Sequence, residues 1–357
     1  AIGTVADMVK LDVNNRRLVR AGLSRINNGR CQPGVKALIE ISGLQIGEIT
    51  ETDIGFRLAP KINAAGRLED MALGIECLLA NDKHAATQMA MSLASINSER
   101  QELQQQMLDE AELALEQILS QKNSSQSLAY VLHQAHWHPG IIGLLASKVK
   151  EKCNRPVVVF APSEAGSDEL RGSARSIAGF HMRDALAFID AQNPGLITRF
   201  GGHAMAAGLS MPIEHLPAFE TALQKVAQLW LSPDALDAVY LTDGSLLSNE
   251  FTRENAVLIK QSGPWGQGFA EPLFDNEFYV HSWKILKDKH LKMRISPKIG
   301  NTEQSFDAIF FNGWQGQEPD KQIRVVFHLQ TNDFRDKRDF QCLIRYIEAV
   351  SGEALLK

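Results

Sequence analysis

Residues 13–30 set Val13, Leu18, Val19, Leu23 and Ile26 among many arginines, a spacing that predicts an amphipathic helix with a basic outer face. A Pro33-Gly34 pair precedes a second short helix, VKALIEISG, which Gly43 ends. From residue 82 to about 120 runs a long helical pattern. Met89, Leu93, Ile96, Leu103, Met107, Ala111, Ala114 and Ile118 step by three and four, or by seven across Arg100, with no proline or glycine between them. Such a helix would span roughly 58 Å, longer than a small domain is wide, and its acidic faces favour a connector between domains. The polar tract QKNSSQS (121–127) then marks a boundary.

Beyond it the pattern changes. LAYVLHQ (128–134) and PVVVFAP (156–162) read as buried strands with the helix GIIGLLASKVKEK between them, a βαβ unit that implies a parallel pair. LRGSARSI (170–177) follows as another strand, then the helix MRDALAFIDA, the stretch RFGGHAMAAGLS, and the helix HLPAFETALQKVAQLW. After about residue 233, FYVHSWKIL, HLKMRISP, FDAIFFN and IRVVFHLQ alternate as short strands, with KDKH (287–290) as a hairpin turn, and suggest a small all-β barrel or sandwich. Residues 313–357 carry no readable motif and are a candidate partner surface.

Length and charge narrow the function. At 357 residues the chain should hold two or three domains, and no run of eighteen apolar residues is present to span a membrane. Cys31, Cys77, Cys153 and Cys342 lie far apart with no C-x-x-C pair, as expected of reduced thiols in a cytoplasmic protein. The net charge of -5 argues against polyanion binding by the whole surface. Yet residues 1–36 hold seven Lys/Arg against Asp7 and Asp12, and residues 284–298 hold six against Asp288 alone. Two basic regions with an acidic one between them suit a polyanion held along a defined track.

The candidate chemistry lies in short segments. In GTVADMVKLD an apolar run ends at Asp7, which would stand at the C-terminal end of a buried strand, where α/β sheets bind ligands and a carboxylate can hold Mg²⁺ or Mn²⁺; capping of the next element is the alternative. APKINAAGRLED reads as a tight loop presenting Asn63 and Arg67, the latter a phosphate fork or a partner of Glu69 or Asp70. In HQAHWHPGIIG, Pro139 would open a helix whose free amides attract anions, with His138 adding a donor; a zinc pair His136-x-His138 lacks further ligands. In GSARS, strand alternation puts Ser173 and Arg175 on one face as a small phosphate clamp, or as ordinary polar alternation. In GGHAMAAG, Gly201 and Gly202 either let a ligand approach the backbone beside His203 or form a packed turn. No G-x-x-x-x-G-K-[ST], G-x-S-x-G or H-E-x-x-H motif occurs, which excludes P-loop, elbow-serine and zincin chemistry; GPWGQG is a tight corner around Trp265.

The ordered set GTVADMVKLD, APKINAAGRLED, HWHPGIIGLLASK, GSARS, RFGGHAMAAGLSM and GPWGQGFAEPLF closely resembles the RecJ family, bacterial single-strand-specific 5′→3′ exonucleases of the DHH phosphoesterase superfamily, over nearly the whole chain. The resemblance implies an α/β plus all-β chain: the tail of a DHH domain (1–81), a long connector helix (82–122), an α/β DHHA1 domain (123–232) and an OB-fold-like β-barrel (233–357). It assigns Asp7 to the metal and catalytic set, and His203 to the catalytic set. It implies that Asn63, Arg67, His138, Ser173, Arg175, Gly201 and Gly202 bind DNA phosphates. Lys284, Lys287, Lys289, Lys292 and Arg294 would line the barrel groove, with Trp283 and Phe278 as base-stacking candidates, of which at least one is expected in the core instead.

The implied cofactor is a pair of Mn²⁺ or Mg²⁺ ions. The implied partners are single-stranded DNA, a single-strand-binding protein and a helicase, in recombination and repair. No D-x-D or D-H-H triplet occurs in the chain, so the resemblance predicts a C-terminal fragment that binds DNA weakly and cleaves nothing. A non-catalytic nucleic-acid-binding scaffold and a phosphodiesterase of short oligonucleotides are the competing readings.

Overall fold

The computed structural model describes residues 1–120, 127–237, 239–299, 304–314, 316–332 and 338–350. Most of the predicted boundary tract, and the side chains of Ala114 and Ile118, lie outside the described residues. The helices are α1 (Ile2–Ala6), α2 (Val13–Asn27), α3 (Pro33–Ile41), the single turn α4 (Glu51–Asp53), α5 (Ala59–Leu68), α6 (Ala72–Leu79), α7 (Lys83–Ser120), α8 (Ile142–Cys153), α9 (Met182–Gln192), α10 (Leu216–Trp230) and α11 (Arg253–Ser262). The strands are β1 (Tyr130–His133), β2 (Val157–Pro162), β3 (Glu169–Arg175), β4 (Arg199–Gly202), β5 (Ala206–Pro212), β6 (Phe274–Leu286), β7 (His290–Pro297), β8 (Phe306–Phe310), β9 (Gln322–Asn332) and β10 (Asp339–Ala349). They form two compact units that are discontinuous in sequence: residues 1–30, 46–56 and 239–357 in one, residues 31–45 and 57–238 in the other.

In the second unit, α7 carries a buried stripe of Ala86, Ala90, Leu93, Asn97, Arg100, Met107 and Ala111, spaced by fours and threes with one step of seven after Arg100. The stripe does not skip Arg100, as the apolar pattern alone implies; it buries that residue. Along its length α7 packs on α3, α5, α6 and α8 of the same unit, so the helix expected as a connector is packed along its length. The adjoining sheet has the order β1-β2-β3-β5-β4, with β1 and β2 parallel and the other pairs antiparallel.

Every residue of β2 is buried because helices cover both faces. Val157, Val159 and Ala161 face the cluster built with α7 and α8, while Val158 and Phe160 face that of α9 and α10. Leu170 and Ala174 of β3 lie in the α9 and α10 cluster. Strand alternation therefore sends Arg171, Ser173 and Arg175 to the α8 side. The segment GGHAMAAG is the β4–β5 hairpin, with Gly202 Cα-paired to Ala207 and the His203 amide donating to the Ala206 carbonyl at 2.8 Å.

The first unit contains a closed five-stranded barrel in the order β10-β8-β7-β6-β9. Phe251, Phe278, Phe306 and Phe327 interlock in its core at centroid distances of 4.8–6.0 Å. Burying each such side chain is worth about 1.5–3 kcal/mol. Lys287 and Asp288 take positive φ (50° and 56°), which turns β6 tightly into β7. Strand β10 closes the barrel from within the stretch 313–357 that appeared featureless in sequence.

Also in this unit, α2 starts on the Asp12 carboxylate, which accepts the Asn15 amide at 2.8 Å, and it buries Val19 and Ile26. Asp7 does not end a strand. The run IGTVA coils into α1, and Asp7 is its exposed C-cap residue. The expected placement of this carboxylate at a sheet edge fails because five residues ahead of a turn form a helix with no pairing strand.

Candidate nucleic-acid interface

A cavity of about 600 Å³ opens in the second unit beside the start of α8. Four arginines line it: Arg67 from the last turn of α5, Arg171 and Arg175 from β3, and Arg199 from β4. Its remaining wall includes Ser173, Ser210 and the glycines Gly140, Gly143, Gly172, Gly201 and Gly208. No acidic residue lines it. Among the described residues none of the four arginines is in an ion pair.

Neutral acceptors hold three of these guanidiniums in place. Arg175 donates from Nε to Ser147 Oγ (3.0 Å), and from Nη1 to Ser173 Oγ (3.1 Å) and the Ala174 carbonyl (2.9 Å). Arg199 Nε donates to Ser210 Oγ at 3.2 Å, and Arg67 Nη1 to the Gly140 carbonyl at 3.4 Å. Burial, and then the positive charge of Arg67, press the Arg175 pKa down. A bound anion would relieve both penalties. The first amides of a helix have no acceptor within it, and Ile142 and Gly143, at the start of α8, border the cavity.

Two glycines of the lining play different parts. A Cβ on Gly201 would meet nothing within 4 Å and would point into open space at the lining. A Cβ on Gly172 would lie 2.5 Å from Phe160 and 2.6 Å from Leu209, so that glycine serves sheet packing behind the site.

Of the residues expected to meet phosphate, the fold brings Arg67, Ser173, Arg175 and Gly201 to one cavity. Asn63 lies one turn before Arg67 on α5, half-buried and outside the lining, and both residues are helical rather than in a loop. His138 is exposed; its Nδ1 accepts the Gly140 amide at 3.0 Å, so this nitrogen cannot serve as the anion donor expected of it. Pro139 precedes α8 by three residues instead of occupying its first position.

His203 is exposed in the β4–β5 turn and, like Gly202, is not part of the lining. His136 does not pair with His138 for a metal. It bonds Glu110 Oε2 at 2.8 Å, the oxygen that also accepts from the buried Trp137 Nε1 at 2.7 Å. Arg171 and Arg199 were not singled out in the sequence. The period-two signal that paired Ser173 with Arg175 extends back to Arg171, whereas Arg199 needs the β4–β5 pairing to find its place.

The barrel presents a second basic surface. Lys284, Lys287 and Lys289 are exposed on and beside the β6–β7 turn. Lys292 and Arg294 point outward too, but Asp307 holds both, at 2.8 Å and 3.3 Å. That carboxylate offsets the cations expected to be free for a groove. Phe278 is fully buried in the barrel core, which removes it as a base-stacking candidate and gives it the core role expected of at least one of the pair. Trp283 stacks on Trp314 with centroids 5.5 Å apart, and Phe311, half exposed, meets the His290 ring edge-on at 5.2 Å. Trp314 and Phe311 are further aromatic candidates, placed beside the lysines by the Trp314 amide bond to the Lys289 carbonyl at 3.2 Å.

Comparison with known proteins agrees with this architecture. A DHHA1 domain family model matches residues 125–229, and a RecJ OB domain model matches residues 242–346. The single-stranded-DNA-specific exonuclease RecJ of Dickeya dadantii is 42% identical over 350 residues, covering 97% of this chain and 60% of the relative. The protein of the same name from Escherichia coli is 41% identical, covering 96% of this chain and 59% of the relative. The chain thus spans about three-fifths of the length of these curated relatives. The crystal structure of Thermus thermophilus RecJ in complex with Mg²⁺ superposes with a TM-score of 0.78 at 27% identity, covering 98% of this chain and 51% of that one. On the shared domains, the matched barrel and the near-complete alignment to these relatives, the chain belongs to the RecJ family.

Proposed function

We propose that this chain grips the 5′ end of single-stranded DNA for a metal-dependent 5′→3′ exonuclease. The observation that carries the reading is the arginine cavity: four guanidiniums that, among the described residues, have no acidic partner, beside a glycine-lined wall that holds no acid. A phosphate offers the forked acceptor geometry that such a group satisfies. On the barrel, the exposed lysines and the Trp283–Trp314 pair would hold backbone and bases, as OB folds do. In this reading the functional parts are a DHH tail (1–81), a connector (82–122), a DHHA1 domain (123–232) and an OB-fold domain (233–357). His203, Asn63, His138 and Gly202 stand at its margin.

Hydrolysis in this family's chemistry needs several carboxylates and histidines to hold Mn²⁺ or Mg²⁺. Asp7 does not fit that requirement by itself. Among the described residues no group of three or more His, Cys, Asp or Glu could hold a metal ion. In this reading the chain alone does not hydrolyse DNA. The same observation favours a second reading, a non-catalytic scaffold that binds single strands. The proposed setting is cytoplasmic recombination and repair, with a helicase supplying unwound ends and a single-strand-binding protein covering them. No described helix is long and apolar enough to cross a membrane.

The test incubates the chain, and Escherichia coli RecJ in parallel, with 5′-labelled single-stranded and duplex DNA, with Mn²⁺ or with chelator. The expected result is label release by the whole relative only, and binding of single strands by the chain with a steep salt dependence. Label release by this chain would overturn its inactivity. Equal affinity for duplex would overturn the single-strand reading.

A further inference from the structure

Arg100 lies in the middle of the buried stripe of α7 with only 9% of its surface exposed. Its hydrogen-bond partners are Asn97 Oδ1 (3.0 Å, from Nη2) and Gln104 Oε1 (3.3 Å, from Nη1), both on its own helix. Nε has no partner, and among the described residues no carboxylate pairs with it. A buried guanidinium usually ties two elements together or neutralises a buried acid. This one does neither, and a methionine or leucine would continue the stripe without the cost of burying a charge. The helix α5, whose last turn carries Arg67, packs along α7, and Leu68 beside Arg67 shares a packed cluster with Leu103, three residues on from Arg100; burial, and then the positive charge of Arg67, press the Arg100 pKa down.

We propose that Arg100 is a positioning cation for the arginine cavity: it stands outside the cavity lining, touches no ligand, and raises the affinity for phosphate through its charge on Arg67. In the empty protein the two like charges oppose each other with no anion between them. An anion at Arg67 offsets that repulsion, so occupancy gains what the empty state lacks. The inference rests on reading the cavity as a phosphate site, and it assigns an origin to part of that site's strength outside its wall. It also predicts opposite signs for stability and binding, which a residue of purely structural importance would not show.

The test uses the 357-residue chain and its R100M, R100K and N97D variants. Asn97→Asp supplies the missing carboxylate while keeping the guanidinium, and decides the matter should R100M fail to fold. Two readouts are taken: the shift in thermal midpoint when chloride is replaced by inorganic phosphate at equal ionic strength, and the affinity for a 5′-phosphorylated thymidine oligonucleotide across a salt series. R100M and N97D are expected to melt at or above the parent temperature without phosphate. They should lose most of the phosphate-induced shift and bind the oligonucleotide about three- to tenfold more weakly, with a shallower salt slope. R100K is expected to bind as the parent does. Affinities of R100M and N97D within about twofold of the parent would overturn the proposal and leave the cavity reading standing. Absence of phosphate stabilisation and of oligonucleotide binding in the parent would overturn both.

Discussion

Replacing Arg175 with methionine is expected to weaken binding of a 5′-phosphorylated thymidine oligonucleotide by about 30- to 150-fold, equivalent to about 2–3 kcal/mol. The reason is geometric. Bonds to Ser147, Ser173 and the Ala174 carbonyl fix this guanidinium before any ligand arrives, so little side-chain entropy is lost on binding. Lysine at the same position keeps the charge and loses the fork, and should fall between the two. Fluorescence anisotropy on folded protein, with the far-ultraviolet spectrum as a control for integrity, reads the effect. A loss smaller than about threefold for both variants would mean that the cavity is not where the phosphate sits.

The two neighbouring glycines of the β4–β5 hairpin should separate cleanly under mutation. Gly202 has φ +143°, and an added Cβ would lie 2.5 Å from the Ala206 carbonyl oxygen and 2.5 Å from Ala207 Cα. Gly202→Ala is therefore expected to lower stability by about 3 kcal/mol, the combined scale of backbone strain and overpacking. Gly201→Ala meets nothing and should stay within about 0.5 kcal/mol of the parent, yet its methyl group enters the lining and should cost about tenfold in oligonucleotide affinity. Urea midpoints and anisotropy on the same preparations check both halves. Equal behaviour of the two variants in either measurement would contradict this division of labour.

Much of this organisation was legible from local pattern. The 3.6 period located α2 and α7, the uninterrupted apolar runs located β1 and β2, and strict alternation put Ser173 and Arg175 on one face of β3. The sequence pattern failed where tertiary pairing decides. GTVAD carries the apolar character of a strand, but no neighbouring chain is available to pair with it, and it closes as a helix that leaves Asp7 exposed. Strand β10 alternates weakly because its outer positions, such as Tyr346, are not consistently polar.

The site divided along the same line. Arg67, Ser173, Arg175 and Gly201 could be singled out one by one, yet that they share a cavity follows only from the sheet order β1-β2-β3-β5-β4. Arg199 enters because β4 pairs with β5, which itself pairs with β3. Arg100 was skipped as an interruption in an apolar pattern. Its burial is visible only once α7 is packed, and a polar residue in a buried stripe is the kind of local inconsistency that marks a functional demand.

The most direct measurement of the central claim compares the affinity of this chain for two otherwise identical thymidine oligonucleotides, one with a 5′-phosphate and one with a 5′-hydroxyl, at several salt concentrations. An arginine cavity that holds the terminal phosphate predicts at least about tenfold preference for the phosphorylated strand, about 1.4 kcal/mol, and a steeper salt slope for that strand alone. Equal affinities and equal slopes for the two strands would contradict it.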